Sequence, residues 1–347
     1  MPLDPAAPDH GGQKAVTLAL QGGGAHGAFT WGVLEGLLKD GRVRIEGLSG
    51  TSAGALNAAV LVDGFIRGGT DGAVTALREF WRRISSTGLQ SLFSASPWGR
   101  LDGGWNLDET GAYALFDMVT RMFSPYELNP LDINPLRDVV EDSIDFEAVR
   151  HCDSIRLFIT ATNVKTCKPR IFHNREITAK VLMASACVPL LFRAVEIDGE
   201  HFWDGGYMGN PSISPLIGEC GASDVVIVQI NPLVRAEVPT KARDILNRIT
   251  ELSFNSSLVR EMRGFATITG LIEAGKLKDD RYKPVNFHMI EAGGDLPALG
   301  VSSKFNTDWR FLEHLHELGI DAAQRWLAAN YDALGSRSSL DVFEAFV

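Results

Sequence analysis

Short apolar runs alternate with segments of helical periodicity along the first part of the chain. Residues 15–20 form a strand-like apolar run, and residues 28–38 carry apolar positions at helical spacing. Residues 43–48 repeat the strand-like pattern, and residues 53–62 follow as an almost wholly apolar helix, which must be buried. Strands that alternate with helices in this order predict an α/β domain with a mostly parallel sheet.

Later segments extend this prediction. Three more strand-like runs cover residues 157–162, 201–203 and 225–230, and two long helical patterns cover residues 244–272 and 308–331. Helix breaks are predicted near Gly264 and Gly319, because glycine weakens a helix interior. We therefore predict a three-layer α/β/α fold with a mostly parallel central sheet over residues 15–232. A helical C-terminal region, residues 233–347, is expected to pack on the same domain.

Residues 88–135 depart from the alternation and are interpreted as an inserted apolar segment. Trp98 and Trp105 lie there among other aromatic residues and methionines, interrupted by Gly and Pro, with one helix predicted over residues 108–121. Ordinary core packing is one interpretation, and a segment that covers a substrate is the other. The second makes Trp98 and Trp105 candidate substrate contacts.

Charge and composition narrow the function classes. A formal net charge of −10 makes a nucleic-acid partner unexpected and gives no long-range attraction to an anionic membrane. The four cysteines form no C-x-x-C pair, which favours reduced thiols in the cytoplasm, with transient contact at a membrane surface left open. Residues 1–14 lack the apolar core of a signal peptide and are expected to form a flexible tail.

A glycine-rich loop follows the first strand and allows two interpretations. Gly22, Gly24 and Gly27 fit the dinucleotide fingerprint G-x-G-x-x-G, and Glu46 lies 19 residues after Gly27, close to the position of a ribose-binding acid. The same backbone N–H groups at the start of a helix can instead form an oxyanion hole. The next turn of the chain favours the second interpretation.

That next turn is Gly50-Thr51-Ser52-Ala53-Gly54, which matches G-x-S-x-G. Small residues on both sides of the serine permit a sharp strand-to-helix turn that exposes the hydroxyl. Ser52 would begin a helix, whose dipole favours developing negative charge. These features make Ser52 a candidate nucleophile.

Asp204 is the candidate base for that serine. It follows Phe202 and Trp203 at a strand end and precedes two glycines, although an Asp-Gly hairpin turn explains the same residues. Phe202 could help to exclude water and is a candidate substrate contact. No H-E-x-x-H motif occurs, so no metal is expected. His26 alone among the histidines lies in the glycine loop, and we expect a substrate-side or packing role there.

The order of glycine loop, G-x-S-x-G and Asp-Gly-Gly resembles the patatin-like phospholipases, which are lipid acyl hydrolases. The likeness extends over residues 16–230 and includes Ala184-Ser185-Ala186-Cys187-Val188-Pro189 and Asn210. It implies a Ser–Asp dyad at Ser52 and Asp204 and a patatin-like fold without a cofactor. It also implies an oxyanion hole at Gly22, Gly23 and Gly24.

Two departures from the family are visible. His26 stands where the family usually has Arg or Lys, and Pro211 comes one position earlier than expected after Asn210. The resemblance implies a phospholipase A or lipid esterase that works through an acyl-enzyme. A serine esterase acting on a storage polyester or a thioester is the second hypothesis, and a dinucleotide-binding oxidoreductase is a distant third. Oligomeric state is not predicted.

Overall fold

The computed structural model describes residues 12–87, 105, 119–120, 122–277, 284–293, 296 and 299–347. Trp98, most of the helix predicted over residues 108–121 and most of the predicted tail lie outside the described residues. Lys14, predicted as the end of that tail, begins the first strand.

The described residues contain eight strands and ten α-helices. The strands are β1 (Lys14–Leu20), β2 (Val43–Thr51), β3 (Arg156–Asn163), β4 (Pro169–His173), β5 (Val195–Ile197), β6 (Glu200–Asp204), β7 (Asp224–Val228) and β8 (Asn286–Ile290). The helices are α1 (Gly27–Asp40), α2 (Ala53–Ser86), α3 (Pro125–Leu128), α4 (Pro135–Ser143), α5 (Phe146–Arg150), α6 (Ala179–Ser185), α7 (Ser214–Glu219), α8 (Ala242–Glu273), α9 (Trp309–Asn330) and α10 (Val342–Phe346).

One eight-stranded sheet organises the molecule, in the order β5-β6-β3-β2-β1-β7-β8, with β4 paired to β3. The contacts of β1 with β2 and β7, of β2 with β3 and of β7 with β8 are parallel, whereas β4, β5 and β6 pair antiparallel. All five residues of β7 are buried, as expected for a strand covered on both faces. The prediction of a mostly parallel sheet is confirmed.

Apolar clusters lie on both faces of this sheet. One unites buried side chains of α1, α2, α6 and α9, including Phe29, Phe80 and Phe311. The other includes Leu216 of α7 and Leu258 of α8. Helices therefore cover the sheet on both sides, which makes three layers. Among the described residues, no helix has the length and apolar character needed to cross a membrane.

The C-terminal region is less purely helical than predicted, because β8 extends the sheet beside β7. The helix breaks predicted at Gly264 and Gly319 do not occur, since both residues lie inside continuous helices. Gly319 instead permits a close helix crossing: a Cβ there would lie 2.1 Å from the carbonyl oxygen of Phe29 in α1. Among the helices of the described residues, a break within a long helix occurs in α2, which is kinked at Gly68 and Gly69.

Candidate active site

Ser52 lies in a strained turn between β2 and α2. Its φ of 54° is rare for a residue with a side chain, and it directly precedes the first residue of α2. The flanking glycines are required by packing, because a Cβ at Gly54 would lie 2.2 Å from the Leu20 carbonyl oxygen and one at Gly50 would lie 2.6 Å from the Gly54 carbonyl oxygen. This is the geometry of a nucleophile elbow.

Strand β3 brings Asp204 to this turn. Because β4 covers one edge of β3, β2 and β6 follow one another along its other edge. Thr51 is in register with Thr160, and Asp204 is in register with the next residue, Ala161. The residue before Ser52 and the candidate base are thus placed by consecutive positions of a single strand.

The Asp204 carboxylate is buried at the end of β6. Its Oδ1 accepts a hydrogen bond from the Gly206 N–H at 2.8 Å, and its own N–H donates to the Cys187 carbonyl at 2.8 Å. Within the described part of the chain, Oδ2 lacks a hydrogen bond of regular geometry, although the Ser52 hydroxyl lies close enough to favour the charged carboxylate.

Burial changes the proton affinity of this carboxylate. It raises the pKa of Asp204 to about 6, against the opposing influence of the Gly206 N–H, the Ser52 hydroxyl and the charge of Lys304. Such an aspartate is a stronger base than an exposed one, yet it is mostly ionised at neutral pH. Burial also raises the pKa of the neighbouring Cys187 to about 12, so this thiol stays protonated and is no nucleophile.

The glycine loop lies against the same turn. A Cβ on Gly22 would lie 2.7 Å from the Cβ of Ser52, so only glycine permits this approach. The Gly22 N–H donates to Asn210 Oδ1 at 2.7 Å. The N–H groups of Gly23 and Gly24 donate no hydrogen bond to any described residue. Three N–H groups were expected to face an oxyanion, and one of them, that of Gly22, already donates its hydrogen bond to Asn210.

Two polar side chains fix the turn and the loop. The hydroxyl of Ser185, at the end of α6, accepts from the Ser52 N–H at 2.9 Å and donates to the Thr160 carbonyl at 2.7 Å. Asn210 holds Gly22, and its own N–H donates to Ser257 Oγ at 3.1 Å. Sequence reasoning noted Ser185 and Asn210 only as family matches, because nothing in a sequence shows which backbone group a side chain will meet.

His26 joins the glycine loop to Ser303 and Phe311. Its Nε2 donates to Ser303 Oγ at 2.7 Å, because that hydroxyl already donates to the Gly300 carbonyl at 2.7 Å. Its ring meets the edge of Phe311, with the ring centroids 6.2 Å apart. Burial, and secondarily the charge of Lys304, hold the pKa of His26 well below its usual value, so the ring is neutral at pH 7.

Comparison with known proteins gives the family of this fold. The sequence pattern of patatin-like phospholipases matches residues 18–217, more than half of the chain. The chain belongs to the patatin-like phospholipase family. The matched range contains the glycine loop, Ser52 and Asp204, and its membership confirms the resemblance inferred from the three motifs.

Solved structures show more distant likeness. VipD from Legionella pneumophila is 15% identical with a TM-score of 0.37, over 87% of this chain and 67% of that one. A chain in the complex of SpcU with ExoU from the type III secretion system of Pseudomonas aeruginosa is 14% identical with a TM-score of 0.31, over 90% of this chain and 53% of that one. The present chain thus spans about half of the latter. No curated protein matches the chain.

Membership of the patatin-like family argues against the dinucleotide-binding hypothesis, and the structure adds a physical reason. The Glu46 carboxylate accepts from the N–H groups of Gly221 and Ala222. It therefore ties β2 to the turn before β7, and it is not free to bind a ribose. Among the described residues, no group of three or more His, Cys, Asp and Glu side chains is placed to hold a metal ion.

The predicted apolar contacts lie in different places. Trp105 packs on α9, with its ring centroid 5.3 Å from that of Phe311 and 5.8 Å from that of His314. Phe202 is buried in the core, edge to face with Phe172 at 5.7 Å. Trp105 is thus linked through Phe311 to His26, whereas Phe202 belongs to β6 itself, two residues before Asp204, and its side chain lies in the core. Substrate contact by either residue stays a prediction.

Proposed function

We propose that this patatin-like protein is a lipid acyl hydrolase that works through a Ser52–Asp204 dyad and an acyl-enzyme. The observation that carries the proposal is the register of β3: Thr51, the residue before Ser52, lies opposite Thr160, and Asp204 lies opposite the next residue, Ala161. A serine on a strained turn and a buried carboxylate with a raised pKa are then neighbours, which is what an activated nucleophile requires.

The chemistry proceeds in two halves. Asp204 accepts the hydroxyl proton while Ser52 Oγ attacks the ester carbonyl, and the proton then passes to the leaving alcohol as the acyl-enzyme forms. In the second half Asp204 takes a proton from water, the hydroxide attacks the acyl carbonyl, and Ser52 regains its proton as the fatty acid leaves. The ionised form of Asp204 starts both halves.

The oxyanion is assigned to Gly23 and Gly24, whose N–H groups donate to none of the described residues. The role of Gly22 is to let the loop approach Ser52 and to anchor it on Asn210. Removing one such donor typically costs roughly 3 kcal/mol of transition-state stabilisation. The N-terminus of α2 adds a favourable dipole at the same place.

An exposed apolar surface supports a lipid as the substrate and a membrane as its source. We call it the α3 surface; its exposed members are Met122, Phe123, Tyr126, Leu128, Leu131 and Ile133. Tyr126 contacts the segment after α6, since its hydroxyl accepts from the Ala194 N–H at 3.3 Å. That segment contains Cys187, whose carbonyl accepts a hydrogen bond from the Asp204 N–H. The α3 surface is therefore connected to Asp204 through the segment that follows α6.

Covalent labelling tests the proposal directly. A fluorophosphonate should form one adduct on Ser52, located by peptide mass spectrometry. Hydrolysis of phospholipid vesicles and of p-nitrophenyl esters should fall by several orders of magnitude in Ser52→Ala and in Asp204→Asn. Ser256→Ala, a matched change at an exposed serine of α8, should keep full labelling and activity.

The two substrates separate the hypotheses. If the protein hydrolyses soluble esters but not phospholipid, it is a non-lipid serine esterase, and the lipid acyl hydrolase proposal is wrong. An adduct on another residue, or most of the turnover kept in either dyad variant, would refute the assignment of that residue.

A further inference from the structure

Lys304 lies against the glycine loop although it is far from it in sequence. A Cβ on Gly24 would lie 2.5 Å from the Lys304 carbonyl oxygen, so the short helix Val301–Phe305 packs directly on the loop. Lys304 Nζ donates to Asn231 Oδ1 at 2.6 Å, and Asn231 Nδ2 donates to the Gly22 carbonyl at 2.8 Å. Backbone and side chain of this lysine are thus both joined to the loop.

The same ammonium group is close to the turn that carries Asp204. Nζ lies 5.9 Å from the centroid of the Phe254 ring. That ring covers Gly206, because a Cβ there would lie 2.4 Å from Phe254 Cε1. The Lys304 ammonium group and the turn after Asp204 thus lie near the same aromatic ring. The charge of each of the two residues influences the ionisation of the other.

Two carboxylates, Glu251 and Asp204, support the charge of Lys304, and Glu251 has the larger influence. Glu251 supports the lysine charge, but its carboxylate already pairs with Arg235 and, at 3.0 Å, with Arg248. Arg235 opposes the charge of Lys304. The Asp204 carboxylate has an oxygen without a regular hydrogen bond among the described residues, and the charge of Lys304 favours its ionised form.

Other titratable groups at the site carry no charge near neutral pH. His26 is neutral, as described above. Burial, followed by the influence of Asp204, raises the pKa values of Tyr207 and Cys187 to about 12. Between pH 6 and 8, therefore, the balance at the dyad depends chiefly on Asp204 and Lys304.

We propose that Lys304 is a positioning residue of the active site, whose ammonium group keeps Asp204 ionised and places positive charge behind the oxyanion loop. The inference rests on the proposed hydrolase function. It assigns an electrostatic role to a residue that lies outside the range matched by the family. The segment after β8 would thereby complete a site built by the first two-thirds of the chain.

The ionisation of Lys304 limits this role to a pH range. The residue as a whole is half-buried, but protein surrounds its ammonium group, and this burial lowers the pKa of Lys304 to about 8. Activity should then rise as Asp204 ionises around pH 6 and fall as Lys304 loses its proton around pH 8.

Two substitutions separate charge from shape. In Lys304→Met, the acid limb of the kcat/KM profile for a p-nitrophenyl ester should move up by about one pH unit, with about a tenfold loss at pH 5. The fall near pH 8 should disappear in the same variant. Lys304→Arg stays charged, so its acid limb should match the wild type and its activity should persist above pH 9. Lys276→Met removes an exposed lysine and serves as the control. It should leave the acid and the alkaline limb of the pH profile unchanged.

A measurement that needs no turnover makes the test independent of catalysis. In protein labelled with 15N-lysine, the ammonium signal absent from Lys304→Arg belongs to Lys304. Its pKa should fall in Asp204→Asn, because the carboxylate that supports the charge is gone. An unchanged lysine pKa in Asp204→Asn, or an unchanged acid limb in Lys304→Met, would overturn the inference. If the hydrolase proposal itself is wrong, the fluorophosphonate should leave Ser52 of the wild-type protein unlabelled.

Discussion

At the scale of single residues, the dyad combines two groups that the fold holds in unfavourable states. Ser52 has a positive φ, and Asp204 carries its charge where water does not reach it. Both conditions serve the proposed chemistry, because the strained turn sets Ser52 at the start of α2 beside Asp204 and desolvation strengthens the base. The stability of the protein should therefore rise when either condition is relieved.

Asp204→Asn should show this trade-off as a function of pH. A carboxyl whose folded pKa is raised from 3.8 to about 6 stabilises the fold fully below its unfolded pKa, and that contribution is lost as pH rises through the folded pKa. The ionised wild type is thus penalised by about 3 kcal/mol at pH 8. The variant should be inactive yet more stable at pH 8, by up to that amount, with little difference at pH 4.

Urea unfolding of both proteins at the two pH values measures the effect. A variant that is equally destabilised at pH 4 and pH 8 would show that Asp204 has a structural role and no buried-charge penalty.

Sequence alone made Ser52 and Asp204 candidates because small residues beside each of them permit the turns that the proposed chemistry needs. It could not suggest Lys304, whose partners Gly24 and Asn231 are distant in sequence. It also could not show that the Gly22 N–H is engaged, since the acceptor is a side chain 188 residues away. Local patterns therefore propose catalytic residues, whereas the groups proposed to tune them are found only through tertiary contacts.

At the scale of secondary-structure elements, the packing of α1 on α9 shows why the helix break predicted at Gly319 does not occur. Glycine in a helical pattern predicts a break when only propensity is considered. Close contact between the two helices requires glycine at positions 32 and 319 instead: a Cβ on Gly32 would lie 2.0 Å from the His316 carbonyl oxygen. Tertiary packing outweighs the propensity cost, and the two helices touch along their backbones.

A pair of glycine substitutions tests this explanation. Gly319→Ala should lower the free energy of unfolding by about 2–3 kcal/mol, because α1 and α9 must separate to admit the methyl group. Gly264→Ala lies in α8, where no atom is within 4 Å of the new Cβ, and should raise it by about 0.5–1 kcal/mol. Thermal unfolding of the two variants measures these changes. A free energy of unfolding that changed in the same direction in both variants would contradict the explanation.

The strands show the same division between local and tertiary information. The runs that became β1, β2, β3, β6 and β7 were visible because each carries apolar or β-branched residues in sequence. The five-residue strand β8 was not predicted, although Phe287 and Ile290 are buried in it. Its position is set by register with β7, which a short segment cannot reveal by itself.

At the scale of the whole molecule, charge and exposed apolar surface make opposite contributions to membrane contact. The net charge of −10 gives no attraction to an anionic bilayer. Leu131 and Ile133 nevertheless expose 79% and 63% of their surface on the α3 surface. Contact with lipid should therefore depend on apolar burial and be little affected by salt.

The double variant Leu131→Gln/Ile133→Gln tests this dependence. Loss of about 1–2 kcal/mol of apolar burial should lower hydrolysis of phospholipid vesicles by about tenfold. Turnover of a soluble p-nitrophenyl ester should be unchanged, because neither side chain belongs to the dyad. Phe343→Gln, at an exposed phenylalanine of α10, serves as the matched control and should affect neither substrate. Equal losses on vesicles and soluble ester would exclude a surface role.

The contact of the glycine loop with residues near the opposite end of the chain has a consequence for synthesis. Translation completes β1, the loop and α1 first, but Gly24 packs on Lys304, His26 bonds to Ser303, and α1 is covered by α9. A nascent chain that stops before residue 300 thus holds Ser52 and Asp204 without the segment that contacts the loop. On the ribosome, the proposed site therefore cannot assemble until residues 301–305 have been synthesised and have emerged.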